Sequence, residues 1–140
     1  TLAAYMDGRI KSVLILDAWL NPLPKNIIYN GIDQPILYMG RPNWDDSDYP
    51  SNNTLVDTLM NNTRGPNYHI TIKETRHLNY CDAPLFSPLV KHILEVGDMN
   101  RQESVNLINQ LSLEFFDQYL RQEKSKTLNS LELYPNITVH

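Results

Sequence analysis

Residues 11–24 read KSVLILDAWLNPLP. Val13-Leu14-Ile15-Leu16 is a continuous apolar run, Asp17 ends it abruptly, and a tryptophan and two prolines follow. A strand wetted on one face alternates apolar and polar residues, whereas a parallel strand covered on both faces is apolar throughout. Residues 11–16 therefore predict a buried parallel strand. Residues 34–40, QPILYMG, have the same character, while 68–73, YHITIK, alternate more and predict a third strand nearer a sheet edge. Parallel strands need crossover connections, and helical sequence lies between and after these runs. Residues 51–62 can wind with Leu55, Leu59 and Met60 inward. A second helix is expected from Pro84 to Leu94, with Asp82 as its cap and Pro84 in its first turn. From 101 to 120, Val105, Ile108, Leu111, Phe115, Phe116 and Tyr119 recur at helical spacing behind a capping-box-like start at Asn100 and Glu103. Alternating strands and helices imply the α/β class, a mostly parallel sheet flanked by helices.

The two ends are less regular. LAAYM at 2–6 looks like the end of a helix stopped by Asp7-Gly8, so the chain opens inside an element. Residues 121–140 have no sustained periodicity and read as a tail. The expected organisation is the C-terminal half of a larger doubly wound sheet over 1–120, followed by that tail.

The 140 residues carry 12 Lys and Arg against 16 Asp and Glu, a net charge of −4. That balance offers no basic field for nucleic acid. No apolar run approaches the roughly 20 residues of a membrane-spanning helix. A single cysteine, Cys81, excludes an internal disulfide and a cysteine-based zinc site; it reads as a buried or intermolecularly paired thiol. N-x-[ST] sequons at Asn52, Asn61 and Asn136 lie in polar, loop-like sequence and point to a secreted glycoprotein.

In parallel α/β sheets, functional groups collect at the C-terminal ends of strands. Asp17 stands at the end of the first strand, and ETRHLNYCD, with His77, follows the third. A carboxylate and an imidazole converging from two such loops make the orienting acid and general base of a Ser-His-Asp hydrolase, and acid before histidine is the chain order of α/β-hydrolases. Taken alone, an aspartate after a strand is a turn or cap residue. His69 in a strand, His92 on a helix and His140 in the tail read as surface or hydrogen-bonded core histidines. A His69/His77 metal pair has no further ligand at sensible spacing. Asp45, Asp46 and Asp48 lack the glycine and closing glutamate of a calcium loop and read as solvated. No metal or other cofactor is expected.

Three blocks, LDAWLNPLP around Asp17, HLNYCD from His77 to Asp82, and GDMNRQESVNLINQLSLEFFDQYL from Gly97 to Leu120, resemble the corresponding parts of the plasma-type platelet-activating-factor acetylhydrolases, also known as lipoprotein-associated or group VII phospholipases A2. The resemblance covers about residues 1–120. It implies an α/β-hydrolase fold and calcium-independent hydrolysis of short or oxidised sn-2 acyl chains of phospholipids. By that match Asp17 is the triad acid, His77 the base, and Trp19 a residue lining the substrate cleft. Leu89, Val90, Ile93 and Leu94 fall where the family docks on lipoprotein, and their amphipathic pattern permits contact with a lipid surface.

One part of the family pattern is missing. No G-x-S-x-G occurs in these residues, and LAAYM looks like the far end of the helix that follows such an elbow. The resemblance therefore places the nucleophile before Thr1, with a separate polypeptide carrying the N-terminal half as the expected partner. The alternative is an inactive α/β-hydrolase-like binding or structural subunit of a secreted complex.

Overall fold

The computed structural model describes residues 1–45, 47, 49–86, 89 and 94–140. Helix α1 (Leu2–Met6) leads to β1 (Val13–Leu16), α2 (Lys25–Asn30), β2 (Ile36–Gly40), α3 (Asn52–Asn62) and β3 (Asn67–Ile72). A 3-10 turn (His77–Tyr80), α4 (Ala83–Phe86), α5 (Arg101–Leu120), a second 3-10 segment (Leu128–Leu133) and β4 (Ile137–Val139) complete the chain. The strands form one sheet in the order β1-β2-β3-β4. β1, β2 and β3 are parallel, as the alternation of strands and helices predicts, and β4 runs antiparallel to β3. The architecture is α/β, a mixed sheet between two helical layers.

Strand alternation assigns the core to two faces. Val13, Ile15, Ile36 and Tyr38 point to one side, where Ile27 and Ile28 of α2 and Val56, Leu59 and Met60 of α3 pack. Leu37, Met39, Ile70 and Ile72 point to the other, against Ile108, Leu111 and Phe115 of α5. All five residues of β2 are buried, which is why QPILYMG carries no polar alternation. The periodic face of α5 forms as expected, and Asn100 caps it by accepting from the backbone N–H groups of Gln102 and Glu103.

Several segments depart from the sequence reading. α1 ends on an extended Asp7, without a left-handed glycine. Helix α2 was not expected, because six residues behind two prolines carry too little periodicity to read; burial of Ile27 and Ile28 holds it instead. Its end is set by Gly31 at φ +65°, where a Cβ would lie 2.0 Å from the Asn62 carbonyl oxygen. Of the helix expected over 84–94, Ala83–Phe86 is helical and Leu94 is not; the rest, apart from Leu89, lies outside the described residues. The sequence 121–140 does not trail away as a tail. Leu128, Leu131 and Ile137 are buried in the α5-side core, and β4 completes the sheet beside β3.

That last segment is fastened at two points. Partial burial alone would raise the Glu114 carboxyl, but hydrogen bonds from Ser125, Thr127 and Gln110 outweigh it and hold the group at about 2. At the far end His140 stacks on His69 with ring centroids 4.3 Å apart, and its backbone N–H donates to the His69 carbonyl. Burial, reinforced by His140, lowers His69 to about 4. No described helix is long and apolar enough to cross a membrane.

Candidate active site

β1 and β2 end side by side. The Asp17 N–H continues their pairing by donating to the Met39 carbonyl at 2.7 Å, and the chain then turns sharply with Asp17 at φ +41°. A non-glycine residue in the left-handed region is uncommon, and Asp and Asn are among those that tolerate it best. The turn sends the Asp17 side chain inward, where it is fully buried. The Arg41 N–H donates to Oδ1 at 2.9 Å, and Oδ2 lies 2.9 Å from Nδ1 of His77. Burial pushes the Asp17 carboxyl above the usual aspartate range, opposed by the Arg41 N–H, the His77 hydrogen bond and the Arg41 charge.

His77 reaches Asp17 from the far side of β3. Thr75 closes the turn after that strand by donating its hydroxyl to the Ile72 carbonyl, and the Tyr80 hydroxyl lies 3.0 Å from the Thr75 oxygen. Asn79, almost fully buried, accepts from the N–H groups of Arg76 and Gly97, both at 2.8 Å. It thereby ties the His77 turn to the strap Glu95–Met99. The strap passes so close that a Cβ on Gly97 would lie 2.0 Å from the Glu74 carbonyl oxygen. Against an ionised Asp17, Nδ1 of His77 must carry the proton, which leaves Nε2 on the opposite side of the ring as an acceptor. His77 itself is half exposed and lines a cavity of about 410 Å³ with Trp19, Arg41, Trp44, Ser47, Tyr49 and Glu95. A buried carboxylate, an oriented imidazole and an open cavity can abstract a proton from a hydroxyl brought to Nε2.

Trp19 lies in this wall rather than in the core, 39% exposed, its ring tilted against Tyr49 with centroids 4.2 Å apart. Arg41, Trp44, Tyr49 and Glu95 carry no assignment from the sequence, and Asn52 none at this site. Arg41 follows QPILYMG directly, as Asp17 follows VLIL, but that position alone assigns it no role. The Arg41 guanidinium lies 3.9 Å over the Trp44 ring and donates through Nη1 to Glu95 at 2.6 Å. Its Nε is 3.3 Å from Asp17 Oδ2, an ion-pair distance without hydrogen-bond alignment.

Asn52 must be corrected as a glycan site. It is fully buried, accepting from the Leu20 N–H at 2.8 Å and donating to the Ala18 carbonyl at 3.2 Å, so its amide has no room for a sugar. Asn61 is exposed, and Asn136 is half-buried with its amide donating to Glu103. Leu89 and Leu94 are exposed, as are Leu85 and Phe86, whereas Val90 and Ile93 lie outside the described residues. Cys81 is exposed rather than buried, its thiol directed at the Leu78 carbonyl. His92, Asp46 and Asp48 also lie outside the described residues.

A family model described as platelet-activating factor acetylhydrolase, isoform II, matches residues 1–134, well past the 120 expected from the sequence blocks. Among solved structures, a ferulic acid esterase from Streptomyces cinnamoneus superposes with a TM-score of 0.73 at 19% identity, a likeness of fold. It covers 96% of this chain and 41% of that one, so the chain spans less than half the length of that structure. No curated protein sequence gives a match.

Proposed function

The chain belongs to the platelet-activating factor acetylhydrolase, isoform II, family, and from that premise we propose that it supplies the acid and base of a serine carboxylic ester hydrolase. The observation that carries the reading is the buried Asp17 carboxylate 2.9 Å from Nδ1 of a cavity-lining His77, at the C-terminal edge of a parallel sheet. In the reaction, Nε2 of His77 takes the proton of a serine hydroxyl as its oxygen bonds to the ester carbonyl carbon. Asp17 holds the ring in the required tautomer and stabilises the imidazolium. The imidazolium then protonates the departing alcohol, and water, deprotonated by the same nitrogen, releases the acid.

No G-x-S-x-G occurs in these residues, so the serine and the oxyanion donors come from the N-terminal half of the hydrolase. The substrates are phospholipids with short or oxidised sn-2 acyl chains, and Trp19 bounds their cleft. Exposed Leu89 and Leu94, with Phe86 at 81% exposure, support docking of this side on a phospholipid or lipoprotein surface. Secretion, with glycans at Asn61 and Asn136, belongs to the same reading.

In the complete hydrolase, phosphonate labelling is expected on that serine. Asp17→Asn and His77→Ala should each lower kcat at least 10³-fold, on the order seen when a triad member is removed. Near-normal hydrolysis by either variant would contradict the roles. An unlabelled protein with no turnover of short-chain esters would favour a non-catalytic binding subunit.

A further inference from the structure

Arg41 has no part in the reaction just described, yet its side chain is 8% exposed at the wall of the cavity. Four contacts join it to both members of the acid–base pair. His77 Nδ1 meets Asp17 Oδ2, and the Arg41 N–H meets Asp17 Oδ1, both at 2.9 Å. Arg41 Nη1 then donates to Glu95 Oε1 at 2.6 Å, and the Glu95 carbonyl accepts the N–H of Leu78, next to His77, at 3.2 Å. The ring is closed: strand end, guanidinium, strap and histidine turn hold one another.

Resting on the hydrolase reading, we propose that Arg41 and Glu95 are positioning residues, an ion pair that fixes the Asp17–His77 pair and sets the local field at the His77 ring. The guanidinium is already committed, with Glu95 at one nitrogen, Asp17 beside another and the Trp44 ring against its plane. It therefore acts on the acid–base pair rather than as an open anion site for substrate. Its positive charge favours the Asp17 carboxylate and opposes a second positive charge on His77. Glu95, 45% exposed, carries the opposite sign and moderates that field. Tyr38 of β2 and Tyr80 of the 3-10 turn also sense the Asp17 charge. Burial, and then the Asp17 charge, pushes both hydroxyls up, so both stay neutral and add no charge to that field.

The two charges predict opposite effects, which generic loosening of the site does not produce. The test uses the full-length hydrolase with Arg41→Met, Arg41→Lys and Glu95→Gln, reading the pH dependence of kcat/KM on a short-chain ester and, separately, the His77 ring signal by NMR. Arg41→Met should move the acidic limb and the ring transition to higher pH by roughly half a unit or more, and Arg41→Lys should recover most of that shift. Glu95→Gln should move both to lower pH. In Arg41→Met, kcat should fall about 10-fold or more while KM changes little, the mark of a lost transition-state contribution. Shifts of the same sign in Arg41→Met and Glu95→Gln, or an unmoved ring transition, would overturn the proposal. If Arg41→Met does not fold, the half-exposed Glu95→Gln decides it alone. Absence of turnover in the parent protein would sink the hydrolase reading only, because the ring signal reports the Arg41–Glu95 field without catalysis.

Discussion

Asn52 uses both ends of its amide on the loop that follows Asp17, accepting from Leu20 and donating to Ala18 on either side of Trp19. Asn52→Ala leaves a buried N–H and a carbonyl without partners, so it should destabilise by about 1–3 kcal/mol in denaturant titration. Because the released loop carries Trp19, KM for the ester should rise more than kcat falls, and glycopeptide mapping should find Asn52 unmodified. This residue also shows where reading the sequence fails. N-N-T is a sequon by composition, and its burial depends on a loop 32 positions away. Asp17 and His77 were legible because residue type, chain order and position after apolar strands all agree. Arg41 was not, since its partner Glu95 is 54 residues distant and an arginine after a strand carries no pattern of its own.

Elements with long periodic faces were legible, and those defined by tertiary contact were not. The 20-residue α5 could be read from its apolar stripe; α2 and β4 are short, and each exists because the sheet gives it something to cover. Leu111, fully buried on α5, should cost about 2–5 kcal/mol as alanine, measured by the shift in unfolding midpoint. The strap Glu95–Met99 is a different kind of element, held by backbone bonds to Leu78 and Glu74 and by the Asn79 amide. Gly97→Ala should push it off the His77 turn, costing roughly 1–3 kcal/mol and most of the hydrolytic rate. Gly8→Ala meets nothing within 4 Å and serves as the control, with activity unchanged.

Across the whole molecule, acid should loosen the last 20 residues in two separate windows. His69 is lowered to about 4 from 6.5, so the unfolded chain binds its proton first as pH falls. Stability is then full above about 6.5 and declines between 6.5 and 4. Glu114 is lowered to about 2 from 4.5, so its contribution is present above 4.5 and lost between 4.5 and 2. Urea midpoints measured against pH should show both declines, and Glu114→Gln should erase the lower one while leaving the upper. The α/β plan and the direction of the sheet were legible from two apolar runs, a third alternating one and the helical stretches between and after them. The closure by β4 was hidden, because its contacts reach from residue 137 back to residue 72. The left-handed turn at Asp17 has a final consequence, for heredity. A backbone at φ +41° admits aspartate or asparagine far more readily than glutamate or a branched residue. Asparagine lies one nucleotide change from aspartate in the genetic code, so a lineage could silence the chemistry in a single step while inheriting the fold intact, and could regain it by the reverse step.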